Sequence, residues 1–146
     1  MNHDRIAITD QPLSAAEAIA FVADETAGGI DIFLGTTRAE KRPDGADLVA
    51  LDYEAYADLA HKQFSGLVAT ARTKWPIVKC VLLHRTGRVA LAEPSVIIAV
   101  STPHRAASFE ACRWLIDSLK QVAAVWKQEV WTDGKKTWVE GTEVQA

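Results

Sequence analysis

Residues 95–126, SVIIAVSTPHRAASFEACRWLIDSLKQVAAVW, decide the fold of this chain. Residues 95–101 are almost entirely apolar, which is typical of a buried strand. Thr102 and Pro103 then provide an N-cap residue and a proline suited to the first helical position. Because apolar residues recur beyond them at three- to four-residue spacing, we predict an amphipathic helix that continues to about Trp126.

Shorter strand and helix patterns surround this unit. We predict strands at 5–9, 30–34, 48–56 and 77–85, helices at 14–25 and 57–75, and a hairpin at 130–139 around an Asp-Gly turn. The strand at 48–56 is expected to pair with the strand at 30–34, and the polar loop between them is expected to be mobile. Strands outnumber the three main helices, so we predict an α+β fold with a mostly antiparallel sheet. One domain is expected over residues 1–146, with a frayed tail from about residue 141.

The composition is that of an ordinary globular protein, with 49% hydrophobic residues, 24% charged residues and a formal charge of −3. No global basic field indicates nucleic acid, and no apolar run is long enough to span a membrane. Cys80 and Cys112 lie in apolar runs without a C-x-x-C motif, which favours buried thiols in a reducing compartment. Since the N-terminus lacks a signal-peptide pattern, we expect a cytoplasmic protein. The histidines lack metal-ligand spacing and no phosphate-loop or dinucleotide motif occurs, so neither a metal nor a cofactor is expected.

Lys120 and Lys127 are the first candidate functional pair. They are seven residues apart, and on a helix continuing past Trp126 both would point the same way. The aromatic and apolar residues around them favour partial desolvation, which lowers the pKa of a lysine and frees an amine for acid–base work. Spacing alone fits equally well a charged face directed to solvent.

Two further stretches are suited to anions. His104 and Arg105 follow a strand at the start of a helix, where free N–H groups and the helix dipole favour negative charge. Thr36, Thr37 and Arg38 follow Gly35 at the end of another strand, where two hydroxyls and a guanidinium can hold a phosphate or carboxylate. The alternatives are a surface histidine beside a salt-bridged arginine at the first stretch, and an ordinary turn at the second.

Six motifs carry a family resemblance that covers roughly residues 5–140. In chain order they are GTTR at 35–38, YEAY at 53–56, LHRTG at 83–87, STPHRAASFEA at 101–111, IDSLK at 116–120 and WKQE at 126–129. In this combination the chain resembles the catalytic (large) subunit family of molybdopterin synthase. The resemblance implies an α/β hammerhead fold and a sulfurtransferase that converts cyclic pyranopterin monophosphate into the dithiolene of molybdopterin.

The resemblance also implies roles for particular residues and a partner. Lys120 and Lys127 match the catalytic lysines of the family. The matching substrate-binding residues are Thr36, Thr37, Arg38, His104, Arg105, Gln128 and Glu129. The partner is a small ubiquitin-like subunit whose C-terminal Gly-Gly thiocarboxylate delivers the sulfur. The expected assembly is a homodimer of large subunits within a heterotetramer, without nucleic acid or membrane.

The sequence departs from the family pattern at two positions. Gln128 stands where a second basic residue is frequent, which predicts a weaker substrate contact, and Pro103 replaces a small residue at a position that suits proline. Two other functions remain as alternatives. One is a non-catalytic subunit that binds an anion or a partner's tail. The other is a sulfurtransferase that uses the thiol of Cys112 or Cys80.

Overall fold

The computed structural model describes residues 2–122 and 124–139, which form three helices and eight strands. Their order along the chain is β1 (Asp4–Thr9), α1 (Ala15–Val22), β2 (Gly29–Thr36), β3 (Leu48–Ala55), α2 (Ala57–Lys74), β4 (Lys79–Arg85), β5 (Gly87–Ala90), β6 (Pro94–Thr102), α3 (Arg105–Leu119), β7 (Val125–Trp131) and β8 (Lys136–Trp138). The structure thus confirms the α+β class and the three predicted helices.

β6 lies inside the first sheet, as its nearly continuous apolar sequence predicts. The strand order is β1-β4-β6-β2, in which β1 and β4 are parallel and the other neighbours are antiparallel. Ile97 and Ile98 point to opposite faces, yet both are fully buried. The face of Ile98 packs with Phe64 and Leu115 against α2 and α3, and the face of Ile97 packs with Val22 against α1. A strand covered on both faces has no need for alternating polar residues.

A second, fully antiparallel sheet has the strand order β5-β3-β7-β8. The predicted pairing of β3 with β2 is wrong, because β2 pairs with β6 in the first sheet and β3 pairs with β5 and β7. Alternation along a strand identifies a half-buried strand but carries no information about which strand lies beside it. β2 and β3 are consecutive in the sequence but belong to two different sheets.

β5 was not predicted from the sequence. Gly87, with a φ of +83°, turns the chain after β4, and the four residues from Gly87 to Ala90 then pair antiparallel with β3. An edge strand this short shows only one buried side chain, Val89, which is too little for a recognisable alternation.

α3 begins two residues later than the sequence predicts. His104 is its N-cap residue and Arg105 its first residue. The Thr102 hydroxyl does not cap the helix but donates to the carbonyl of His104 at 2.6 Å. Thr102 belongs to the end of β6, so the strand continues through the predicted cap.

α3 also ends earlier than predicted, and this changes the position of both lysines. The helix ends at Leu119 with Lys120 as its C-cap residue, and β7 (Val125–Trp131) contains Trp126 and Lys127. The prediction of one helix through Trp126 is therefore wrong. Valine and tryptophan at the start of β7 favour an extended backbone, and their pairing with β3 outweighs the helical spacing of the apolar residues.

The C-terminal hairpin is confirmed. β7 and β8 pair antiparallel around a turn in which Gly134 has a φ of +83°. An Asp-Gly pair suits this turn because glycine adopts positive φ without a steric penalty. The predicted frayed tail from about residue 141 lies outside the described residues.

α2 is the longest described helix and packs one side against the first sheet. Its buried residues Ala60, Phe64, Val68 and Ala71 follow the predicted spacing. The opposite side is polar, and within residues 2–122 and 124–139 no helix combines the length and apolar character needed to cross a membrane.

Candidate active site

A cavity of about 460 Å³ is lined by residues from both sheets and from the end of α3. Its charged lining residues are Arg38, Glu40, Lys120, Lys127 and Glu129. The remainder of its wall is formed by Gly35, Thr36, Leu48, Leu51, Tyr53, Ser95, Val96 and Val139. This volume suits a small-molecule ligand. Cations outnumber carboxylates on the wall, so the cavity favours an anionic ligand.

The two predicted catalytic lysines meet in this cavity, although they do not share a helix. Lys127 reaches it from β7, where it lies opposite Tyr53 of β3, and Lys120 reaches it from the C-cap of α3. The two lysines were predicted to lie close together because two turns of one helix would separate them. They lie close together because β7 brings Lys127 to the same cavity that Lys120 reaches from the end of α3. The predicted proximity is confirmed, but the predicted reason for it is wrong.

Burial lowers the pKa of both lysines. Partial desolvation is the cause for Lys120. For Lys127, desolvation comes first and the positive charge of Lys120 adds to it, while Glu129 and Glu40 oppose the shift. A lysine with a lowered pKa is a better proton donor and offers more free amine at neutral pH.

Glu129 is the carboxylate beside these lysines. Burial raises the pKa of its carboxyl group, and the nearby Glu40 raises it further, while Lys127 lowers it. Glu40 also pairs with Arg38, whose guanidinium nitrogen lies 3.7 Å from a Glu40 carboxylate oxygen. The Arg38 side chain is 85% exposed, so this ion pair contributes little stability and leaves the guanidinium free to bind another anion.

Ion pairs and a ring contact hold the loop that carries Arg38 and Glu40. Arg42 lies over the Trp131 ring with 5.0 Å between the guanidinium carbon and the ring centroid, and it also pairs with Asp44 and Asp133. These contacts attach the polar loop between β2 and β3 to the β7–β8 hairpin. The prediction of a mobile loop rested on composition alone, which does not reveal such tertiary contacts.

Thr37 and Gln128 do not line the cavity. Thr37 is buried and its hydroxyl donates to the carbonyl of Val89 at 3.5 Å. Gln128 lies between Asp52 of β3 and Trp138 of β8. Thr37 follows the end of β2, where it forms an isolated bridge with Leu91, and it therefore lies away from the cavity. In β7, successive side chains point to opposite faces of the sheet, which separates Gln128 from Lys127 and Glu129.

His104 and Arg105 are also absent from the cavity wall. Both are exposed at the N-terminal end of α3, whereas Lys120 follows the C-terminal end. A helix of 15 residues, about 22 Å long at 1.5 Å per residue, separates them. Within one copy of the chain, this pair therefore lies at the other end of α3 from Lys120 and outside the cavity that contains both lysines.

Three lining residues with polar or charged side chains were not predicted as site residues: Glu40, Tyr53 and Ser95. Tyr53 stands in a quoted family motif, YEAY, but nothing in that motif distinguishes a cavity residue from a core residue. Glu40 belongs to the polar loop, and Ser95 begins an apolar strand. Their positions depend on long-range strand pairing, which sequence spacing does not encode.

Neither cysteine is suited to act as a nucleophile. Cys80 and Cys112 are free thiols buried in the main core. Burial raises the pKa of the Cys80 thiol to about 12 and also raises the pKa of Cys112 well above its usual range. Since the thiolate is the reactive form, these positions argue against thiol-based sulfur transfer. In the part of the chain that the structure describes, no group of histidine, cysteine and carboxylate side chains is arranged to hold a metal ion.

Comparison with known proteins gives one consistent similarity over nearly the whole chain. Residues 8–122 match the family model described as MoaE protein. A molybdopterin synthase catalytic subunit from Nostoc sp. is 41% identical over 137 residues, which cover 93% of this chain and 82% of the relative. The crystal structure of a molybdopterin synthase from Staphylococcus aureus matches with a TM-score of 0.84 and 28% identity, covering 91% of this chain and 95% of that chain. A chain from a complex of subunits 1 and 2 of the molybdopterin-converting factor from Helicobacter pylori shares the fold, with a TM-score of 0.70, 19% identity and coverage of 94% and 90%.

Proposed function

Given that this chain belongs to the MoaE protein family, we propose that its cavity is the place where sulfur is transferred to the pterin during molybdopterin synthesis. The chain is a sulfurtransferase of molybdenum cofactor biosynthesis, acting as a molybdopterin synthase catalytic subunit. The observation that carries the proposal is the convergence of Lys120, Lys127 and Arg38 on one cavity.

The proposed reaction joins two anions. The substrate is cyclic pyranopterin monophosphate, and the sulfur arrives as a thiocarboxylate at the Gly-Gly end of a small ubiquitin-like partner subunit. The thiocarboxylate sulfur attacks a side-chain carbon of the pterin, so a carbon–sulfur bond forms while a carbon–oxygen bond at that carbon breaks. Water then hydrolyses the resulting thioester, which leaves sulfur on the pterin and releases the partner's tail as a carboxylate. A second partner molecule repeats the transfer to complete the dithiolene.

The two lysines have different proposed roles. Lys120 meets the partner's terminal acyl group and stabilises the attacking sulfur, since an ammonium in a partly desolvated wall attracts an anion strongly. Lys127 moves protons as the cyclic phosphate opens and oxygen leaves, because a lowered pKa makes a lysine a better proton donor. Glu129, whose carboxyl pKa is raised by burial, lines the same cavity and returns that proton.

Arg38 and Thr36 are proposed to bind the phosphate of the pterin. The Arg38 guanidinium is exposed at the cavity and presents paired N–H donors, which match phosphate oxygens. The negative charge of Glu129 reduces the net positive charge of the cavity that Arg38 and Thr36 line. Thr37 and Gln128 are proposed to support the site without contacting the pterin. Thr37 follows Thr36 at the end of β2, and Gln128 is a residue of β7, the strand that carries Lys127.

His104 and Arg105 are proposed to bind substrate from a second copy of the chain. They form an exposed, cationic helix start that suits an anion, but α3 separates them from the lysines of their own chain. In the proposed homodimer within a heterotetramer, the N-terminal end of α3 of one copy supplies donors to the cavity of the other. We place this assembly in the cytoplasm, which agrees with the two buried free thiols.

The test is a single-turnover assay with a thiocarboxylated small subunit and cyclic pyranopterin monophosphate. Lys120→Ala and Lys127→Ala should each reduce the rate by at least about 100-fold, the scale expected for one group that stabilises transition-state charge or transfers a proton. Lys62→Ala, an exposed lysine on α2, is the matched control and should retain the rate of the unsubstituted protein. Full activity in either cavity variant would remove that lysine from the proposed mechanism.

A non-catalytic subunit that only binds an anion or a partner's tail is the competing function. It needs Arg38 but not two lysines with lowered pKa values. The assay separates the two functions, because a binding subunit gives no sulfur transfer with any variant while still retaining the partner's tail.

A further inference from the structure

Tyr53 lies behind Lys127 and contacts it directly. The two residues are opposite each other on β3 and β7, where side chains of an antiparallel pair stand close together. The Lys127 ammonium nitrogen lies 5.8 Å from the centroid of the Tyr53 ring, within the range of a cation–π contact. Lysine has a flexible four-carbon stem, so a fixed ring face beneath its ammonium restricts where the amine can go.

The Tyr53 ring also contacts the first sheet. His84 of β4 lies edge-on against the ring, with 5.0 Å between the ring centroids. Because β3 and β7 belong to the second sheet and β4 belongs to the first, this contact connects the position of Lys127 to both sheets.

Tyr53, which contacts Lys127, and His84, which contacts Tyr53, are both uncharged near neutral pH. Burial raises the pKa of Tyr53, so its phenol keeps its proton. His84 is almost completely buried, and this burial, together with the charges of Lys120 and Lys127, lowers its pKa to about 4. A neutral histidine adds no positive charge behind an ammonium that already faces Lys120.

The remaining charged groups around Lys127 come from three parts of the fold. Lys120 at the end of α3 disfavours the charged amine, while Glu129 on β7 and Glu40 in the β2–β3 loop favour it. Arg38 lines the same cavity from that loop. The Tyr53 ring differs from these groups, because it stabilises the ammonium without carrying a charge.

We propose that Tyr53 is a positioning residue for Lys127, and that its ring face holds the ammonium in the place required for proton transfer. This inference rests on the proposed function of the cavity, but it makes a separate statement about the state of one lysine. It assigns the effect to the ring face and not to the hydroxyl.

Two substitutions separate the ring from the hydroxyl. Tyr53→Met fills a similar volume with a flexible apolar chain that has no π face, and Tyr53→Phe keeps the ring and removes the hydroxyl. Tyr56→Met is the matched control, because Tyr56 is 66% exposed and contacts Trp126 without lining the cavity. Thermal unfolding checks that each variant folds, and Tyr53→Leu replaces Tyr53→Met if the latter has no cooperative transition.

The first readout does not depend on catalysis. NMR of protein labelled with ¹³C-lysine gives the pKa of Lys127, with its signal assigned by the loss of that signal in Lys127→Arg. Tyr53→Met should lower the pKa of Lys127 further, because the ammonium loses its contact with the ring. Tyr53→Phe and Tyr56→Met should leave it at the value in the unsubstituted protein. An unchanged or raised pKa in a folded Tyr53→Met variant would overturn the proposal.

The second readout is the single-turnover sulfur-transfer rate as a function of pH. Tyr53→Met should lower the rate about 3- to 30-fold and move the alkaline limb of the profile to lower pH, while Tyr53→Phe should stay close to the unsubstituted protein. Equal losses in both variants would assign the effect to the hydroxyl and contradict the ring assignment. If the unsubstituted protein transfers no sulfur, the proposed function fails, yet the pKa comparison still decides the role of Tyr53.

Discussion

The buried residue His84 makes the free energy of unfolding depend on pH between the pKa of an ordinary histidine and the lower pKa of His84 in the folded protein. His84 is 4% exposed and its Nδ1 lies 3.0 Å from the carbonyl oxygen of Arg85. Its pKa is about 4 in the folded protein, against 6.5 for an ordinary histidine. When the pH falls below 6.5, the unfolded chain takes up a proton that the folded protein does not accept until about pH 4. The free energy of unfolding therefore falls as the pH drops through this window, and it levels off below it.

The size of this effect follows from the two pKa values. One pKa unit corresponds to about 1.4 kcal/mol, so the loss is about 2 kcal/mol between pH 7 and pH 5 and about 3 kcal/mol by pH 4. Glu129 has the opposite sign, because its raised pKa lets the folded protein bind a proton earlier. Asp52, with a pKa of about 2, contributes only below its ordinary value of 3.8. Histidine protonation therefore dominates between pH 6.5 and pH 5.

The assay is urea unfolding followed by tryptophan fluorescence at a series of pH values between 7 and 5. His84→Gln has no titrating group and keeps a donor that can reach the same carbonyl, so its free energy of unfolding should lose most of the pH dependence. His61→Gln, a substitution of an exposed histidine on α2, should keep the dependence of the unsubstituted protein. Identical pH dependence in the His84→Gln variant and the unsubstituted protein would refute the reasoning.

Four further variants test the packing of a cavity glycine, the attachment of the β2–β3 loop and the role of the cysteines. Gly35→Ala should destabilise the protein and impair sulfur transfer, because the added Cβ would overlap a valine methyl group of β6. Gly66→Ala should raise the free energy of unfolding in urea by about 1 kcal/mol, because Gly66 lies in α2 and no atom is near its Cβ. Arg42→Ala should raise KM for the pterin more than it lowers kcat, because it frees the loop that carries Arg38, the residue proposed to bind phosphate. Faster amide exchange in that loop should accompany the change. The double variant of Cys80 and Cys112 to alanine should stay active per folded molecule, since both thiols are buried, and inactivation of a folded double variant would restore the thiol mechanism.

The elements of the fold were predictable where one periodicity dominated. α2 and β6 lie close to their predicted positions, because a helical apolar stripe and a strand buried on both faces give clear patterns. The end of α3 was not predictable from spacing, since Trp126 continues a helical pattern while it pairs as a strand residue opposite Glu54. Pairing between distant strands decides such positions, and a local pattern does not contain it.

The candidate site was predictable in part. Lys120, Lys127 and Arg38 share a cavity as the resemblance implied, although the lysines reach it from two different elements. Strand alternation explains why Gln128 lies on the other face of its sheet, and it becomes informative only once β7 is known to be a strand. Tyr53 was missed because its contact with Lys127 depends on the register between β3 and β7.

Lys120 and Lys127 are proposed to act together on sulfur carried by a partner's tail. The most direct test is a quenched single-turnover reaction in which mass spectrometry follows the partner's C-terminus from thiocarboxylate to carboxylate while the sulfurated pterin is quantified. We expect both products to appear together with the unsubstituted protein and with Lys62→Ala, and neither product to form at a comparable rate with Lys120→Ala or Lys127→Ala. Normal conversion of the tail and normal formation of sulfurated pterin with both cavity variants would contradict the proposal.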